Sequence, residues 1–171
     1  MKCGIMQQVR QTDKLEVDGG IKVRNRSMAF VLRDNKILME KVFYDKRFFY
    51  TIPGGGIEGD EIPEETVLRE LKEECGLDGK IVRKLTTIFH SDGSQEHVFE
   101  VDVPLEQIPI KGYDPEESKD NQPIKEVCWI HLSELSERDR AFMWAYGLME
   151  IDGFFEEVKR WGDEISYPTF R

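Results

Sequence analysis

Between residues 69 and 77 the chain reads RELKEECGL. Glu70, Glu73 and Glu74 stand three and four positions apart, so a helix projects all three from one stripe. Like charges at that spacing repel by roughly 0.2–0.5 kcal/mol per pair. Toward a helix C-terminus the macrodipole disfavours anions as well. The arrangement costs stability unless something cationic offsets it. Magnesium prefers a near-octahedral shell of hard oxygens and takes one or two carboxylates, waters and substrate phosphates. Three carboxylates on one stripe supply such ligands, and an ion held there bridges an acidic protein to a polyphosphate. The blander alternative is a solvated helix face, the ordinary fate of an acidic stripe.

The surrounding elements must present that stripe. From Pro63 to Cys75 the apolar residues Val67, Leu68, Leu71 and Cys75 recur at helical spacing. Pro63 suits a first helical turn and Gly76 the position just past the end. Ile62 precedes the proline, so Asp60 is the better capping residue. Upstream, KLEVDGGIKV (14–23) reads as a hairpin around Asp-Gly-Gly. SMAFVLRDNKILMEKV (27–42) reads as two strands joined by a turn at Arg33-Asp34-Asn35, and FFYTI (48–52) as a strand ending at Pro53 and three glycines. Downstream, KIVRKLTTIFHS (80–91) and HVFEVDV (97–103) read as strands around Asp92-Gly93, and EVCWIHL (126–132) as another. The stretch 111–123 is a polar, acid-rich loop. SELSERDRAFMWAYGLM starts a helical region and FFEEVKRWGDE (154–164) a last amphipathic helix. Strands before and after one well-marked helix give a mixed α/β or α+β sandwich.

At 171 residues the chain fits one domain with a proper core. Its net charge of −10 repels nucleic-acid backbone, and no basic stripe counters this, so a nucleic-acid polymer is not the expected partner. No apolar run approaches the ~20 residues of a membrane span, and the start lacks a secretory pattern, so no membrane is expected and the simplest compartment is the cytoplasm. Cys3, Cys75 and Cys128 are dispersed, which argues against a disulfide framework or structural zinc. Cys75 and Cys128 fall in apolar patterns and read as buried free thiols.

Extended backwards, the opening stretch becomes GGIEGDEIPEETVLRELKEECGL, residues 55–77. Gly55 is followed after five residues by Glu61, then after seven more by Arg69-Glu70-Leu71, Glu73-Glu74 and Gly76-Leu77. This matches the signature G-x5-E-x7-R-E-U-x-E-E-x-G-U, with U bulky aliphatic, and by it the chain resembles the Nudix (MutT-like) hydrolase family. The likeness takes in TIPGGG before the signature and, more loosely, EVCWIHLSEL, similar to the family's Trp-containing strand. It spans about residues 27–135.

The resemblance implies a Nudix-type α/β/α sandwich with a mixed β-sheet. An N-terminal arm with a hairpin (1–25), a hydrolase domain (26–165) and a short tail (166–171) are the expected divisions. It further implies a metal-dependent hydrolase that cleaves a diphosphate linkage in a nucleotide-like small molecule, a nucleoside triphosphate or a modified one being the first guess, with Mg2+ or alternatively Mn2+ as cofactor. Glu70, Glu73 and Glu74 would hold the metal. Arg69 would orient the carboxylates, and Glu61 would pair with Arg69 or reach a metal through water. Gly54, Gly55 and Gly56 would let the backbone approach the ligand. Tyr50, with Phe48 and Phe49, would flank a base, unless that aromatic strand is simply core. For the general base the candidates are Glu73, Glu100, Glu116, Glu117 and Asp120, the last four equally readable as solvated acids. His90, His97 and His131 show no ligand spacing. Phe142, Trp144, Tyr146 and Leu148 suit packing or a homodimer surface. The rival reading is a non-catalytic Nudix-fold module that senses a nucleotide. Such domains tend to lose signature acids, and this chain keeps them. The subgroup markers for ADP-ribose and dinucleoside polyphosphates, a Pro or Tyr 15–17 residues past the signature, are missing at Asp92-Gly93-Ser94.

Overall fold

The computed structural model describes residues 23–113 and 122–134, with 16–17, 20–21, 143 and 146–147. The expected helix at 154–164, the tail, Cys3, and the acids Glu116, Glu117 and Asp120 lie outside them. So do Phe142, Trp144 and Leu148.

The two short strands β1 (Glu16–Val17) and β2 (Gly20–Ile21) pair antiparallel, as the Asp-Gly-Gly signal requires. The next stretch departs from expectation. In place of one strand before the turn there are two, β3 (Arg26–Phe30) and β4 (Leu32–Arg33), separated at Val31. The break arises because they serve different sheets: β3 lies between a later pair of strands, while β4 pairs with β5 (Lys36–Tyr44). Asp34 and Asn35 between β4 and β5 both take left-handed φ, 49° and 60°, the conformation of a tight hairpin turn that Asp and Asn tolerate. A second such turn, Asp45-Lys46, joins β5 to β6 (Arg47–Thr51). Asp45 tolerates the left-handed region as Asn does, but Lys46 is an unusual second residue for it, so the turn was not expected there.

Strand β7 is the run Gly54–Gly56. Helix α1 covers Pro63–Cys75, with Gly76 left-handed at φ 69° and its N–H on Lys72 O. Asp60 does not cap it. The Glu65 side chain reaches back instead and accepts from Ile62 N at 3.1 Å, half of a capping box. Strands β8 (Lys80–Phe89), β9 (Gln95–Asp102) and β10 (Ile124–His131) follow, then the turn Leu132–Glu134; most of the expected helical region 133–149 lies outside the described residues.

Four strands form a mixed sheet in the order β7-β3-β9-β8, with β3 and β9 parallel. The second sheet runs β10-β5-β4, with β6 added to β5. Helix α1 lies on β3 and β7, sinking Val67, Leu71 and Cys75 among Ala29, Val31, Phe99 and Val101. Burying each large apolar side chain there contributes about 1.5–3 kcal/mol. On the other side Met28, Phe30, Ile37, Met39, Ile52 and Val98 pack with Met143 and Tyr146, which makes Tyr146 a packing residue. Cys75 is buried as expected, but Cys128 is only half-buried, on β10 at the end of the second sheet. Among the described residues no helix is long and apolar enough to cross a membrane.

Candidate active site

Ala29 on β3 and Val31 just past its end pack toward α1, and the same strand holds β7 in register: Arg26 faces Gly56, Ser27 faces Gly55 and Met28 faces Gly54. A strand with no side chains brings its backbone directly under the helix. A Cβ on Gly55 would overlap the Glu70 carboxylate, and one on Gly56 the Arg24 guanidinium. The glycines thus earn their place by the absence of bulk. Gly55→Ala keeps an ordinary backbone, so its whole penalty falls on Glu70. Overpacking of this kind costs about 1–3 kcal/mol, and a melting curve should show that loss together with reduced turnover. Unchanged values for both would mean that the carboxylate yields freely.

Arg69 is the centre of the cluster. Its Nε donates to Glu61 Oε1 at 2.8 Å and its Nη2 to Glu61 Oε2 at 3.1 Å. Its Nη1 donates to Glu70 Oε1 at 2.9 Å and to Glu73 Oε2 at 3.0 Å, while Nη2 also reaches Gly56 O at 3.0 Å. Glu58 stands at the edge, 4.0 Å from Nη1. One planar fork therefore ties the glutamate stripe to the glycine strand and to the loop before the helix. A lysine ammonium lacks the geometry for this.

Glu61 also accepts from Thr66 Oγ1 at 2.9 Å and from Glu58 N at 3.2 Å. The Arg69 hydrogen bond, above all, brings its pKa down from 4.5 to about 2. Arg69 is correspondingly held in its charged form, chiefly by Glu61. Glu70 behaves oppositely although it shares the same arginine. Burial, then the charge of Glu74, push it up to about 7, outweighing Arg69. Glu74 is buried as well, and its Oε2 accepts from Gly54 N at 2.8 Å.

The structure thus brings together Glu61, Arg69, Glu70, Glu73, Glu74 and the three glycines. It does not bring Tyr50 to them by any hydrogen bond. Tyr50 leans on the apolar cluster of Met28, Met39 and Met143, while Phe48 is exposed and tilted against Phe43 at 4.8 Å. Glu100 is engaged by Arg83 Nε at 2.8 Å on β9. His97 Nδ1 lies 3.0 Å from Lys84 Nζ and 3.2 Å from Thr87 Oγ1, His131 contacts Ser133, and His90 lies 3.6 Å from Glu96.

Two contributors escaped sequence reasoning. Arg26, buried on β3, donates from Nη2 to Gly54 O at 3.0 Å. The segment 110–113 caps the C-terminal turn of α1, with Ile110 N on Cys75 O, Gly112 N on Glu74 O and Tyr113 N on Glu73 O. These N–H groups satisfy carbonyls that the helix end leaves open. Gly112 was the available cue, since a Cβ there would overlap the Glu73 carbonyl.

The donor set fits a hard divalent cation: every group is a carboxylate oxygen, and burial with like-charge crowding lifts Glu70. Among the described residues no three acidic, histidine or cysteine side chains stand converged as a finished cage. Arg69 holds one oxygen each of Glu70 and Glu73.

A family model described as NUDIX domain matches residues 23–150. Among curated proteins the chain is 38% identical over 73 residues to an ADP-ribose pyrophosphatase of Bacillus subtilis, covering 42% of this chain and 40% of that protein. It is 42% identical over 50 residues to an 8-oxo-dGTP diphosphatase of Proteus vulgaris, covering 29% and 44%. The matched stretches therefore span less than half of those relatives. A crystal structure of a NUDIX hydrolase from Nitrosomonas europaea superposes with a TM-score of 0.61 at 18% identity, over 87% of this chain and 76% of that one. At that identity the likeness concerns the fold.

Proposed function

The chain belongs to the NUDIX domain family, and from that premise we propose that it is a metal-dependent hydrolase of a diphosphate linkage in a nucleoside diphosphate derivative. The observation that carries the proposal is the intact set of signature residues: Glu61, Glu70 and Glu73 gathered on the Arg69 guanidinium, and Glu74 on Gly54 N, against a side-chain-free strand. The names of relatives, pyrophosphatases and diphosphatases among them, support the reaction class.

Glu70, Glu73 and Glu74 would hold magnesium, or alternatively manganese. Bound there, the ion supplies charge for the phosphoryl oxygens and acidifies water. The chain's own residues do the rest. Arg69 fixes the directions in which the carboxylates point. Glu61 keeps Arg69 in place and, well below its usual pKa, stays an anion throughout the working range. Gly54 N–H restrains Glu74. Glu73, partly exposed with one oxygen on Arg69, accepts the proton of the water that attacks phosphorus in line with the leaving phosphate. Glu100, engaged by Arg83, is the weaker base candidate.

Incubating a panel of nucleoside diphosphate derivatives with Mg2+ and identifying products by mass tests the function. Products split at the diphosphate are expected, and excess chelator should abolish them. Equal turnover in chelator would sink the proposal, and binding of a nucleotide without any product would favour the sensing module.

Glu70 gives a pH prediction for the metal-free protein. Its folded pKa of about 7 stands above the ordinary 4.5. A raised carboxyl contributes stability fully below 4.5 and loses it as pH rises through about 7. In metal-free melting curves, Glu70→Gln should therefore gain on the native chain between pH 5 and 8, on the order of the shift's span. Added Mg2+ should stabilise the native chain most above pH 7 and do less for the variant. A pH-independent difference between the two would contradict the assignment.

A further inference from the structure

Strand β7 has no side chains, so backbone contacts alone fix its position. Gly54 takes φ 151°, a conformation that L side chains rarely adopt, and a Cβ there would overlap the Ser27 carbonyl. Its residue is gripped at both ends: the N–H by Glu74 Oε2 at 2.8 Å, the carbonyl by Arg26 Nη2 at 3.0 Å, both contacts buried. Arg26 itself is 9% exposed. A guanidinium is expensive to desolvate, and packing alone would be served by an aliphatic residue at this place on β3. Arg69 takes Gly56 O at the other end of the same strand. Two guanidinium groups, one from the sheet side and one from the helix side, thus hold the two ends of a three-residue strand.

We infer that Arg26 is a positioning residue: by holding the Gly54 carbonyl it fixes the backbone whose N–H restrains Glu74, and so sets the carboxylate at the buried end of the cluster. Its consequence for metal binding rests on the hydrolase reading above, while the contact with Gly54 stands apart from it.

The test uses the full chain with Arg26→Met and Arg26→Lys. Amide exchange is followed by NMR on metal-free protein, and Mn2+ alone is titrated by EPR. In Arg26→Met the Gly54 amide should exchange about tenfold faster or more, with the β3–β9 ladder amides still protected, and Mn2+ affinity should fall about 10–100-fold. Arg26→Lys, which keeps the charge without the planar fork, should fall between. It decides by the same criterion if Arg26→Met does not fold. Unchanged Gly54 exchange overturns the inference, whatever the metal does. Faster exchange with unchanged Mn2+ affinity, where the native chain binds Mn2+, overturns it too. A native chain that binds no Mn2+ sinks the functional reading alone, and the exchange rates still decide for Arg26.

Discussion

Glu74→Gln is expected to lower turnover by about 10²–10³-fold, the scale seen when one electrostatic stabiliser of a reacting centre is removed, while leaving a folded protein. Glutamine keeps the size of glutamate and an amide oxygen able to accept from Gly54 N, whose bond to Glu74 is 2.8 Å long. Packing against β7 therefore survives. What goes is a buried negative charge, and with it part of the attraction for a cation. Loss of that charge also relieves Glu70, whose pKa Glu74 helps to raise. The metal-free variant should accordingly melt no lower than the native chain at pH 8. Steady-state rates with Mg2+ and a melting curve check both halves. Undiminished hydrolysis would remove Glu74 from the metal site.

Arg69→Ala should have the other large effect, with activity per folded molecule falling about 10–100-fold, as for partners that orient metal ligands. The guanidinium makes five hydrogen bonds, to Glu61 twice, to Glu70, to Glu73 and to Gly56 O. Its removal leaves those acids to repel one another. Glu61 should return toward its ordinary pKa. In the native chain the depressed pKa of Glu61 contributes stability above 4.5 and loses it as pH falls through about 2. The variant lacks that contribution, so its stability deficit should be largest at neutral pH and shrink below pH 4. Added Mg2+ should recover part of the melting temperature, because a cation substitutes for some of the missing charge. A drop in melting temperature with normal activity per folded molecule would make Arg69 structural only.

Helix α1 was legible from the sequence almost to the residue, since Pro63, Gly76 and the spacing of Val67, Leu71 and Cys75 all agree on it. The carboxylates, Arg69 and Glu61 were equally legible, because a fixed spacing on one helix and the loop before it is local information. What the sequence did not show is non-local. The split between β3 and β4 at Val31 depends on which sheet each half joins, and no residue near Val31 announces a breaker. The grip of Arg26 on Gly54 spans 28 positions, and the cap from Ile110 to Tyr113 joins segments 35 or more apart. The proposed cap at Asp60 failed because a box residue, Glu65, reached backwards instead. Tyr50 shows the limit of composition: an aromatic strand beside the glycines reads equally as a base platform or as core, and its observed contacts are apolar.

Strand β7 carries a consequence for how this architecture can diversify. Its face toward the carboxylates is plain peptide, Gly54 to Gly56, and so offers no side chain whose replacement could sort one leaving group from another. On the hydrolase proposal, discrimination would then be written on surfaces other than this strand. On the same proposal, the glutamate cluster and the part that selects a substrate would in this sense be separately heritable.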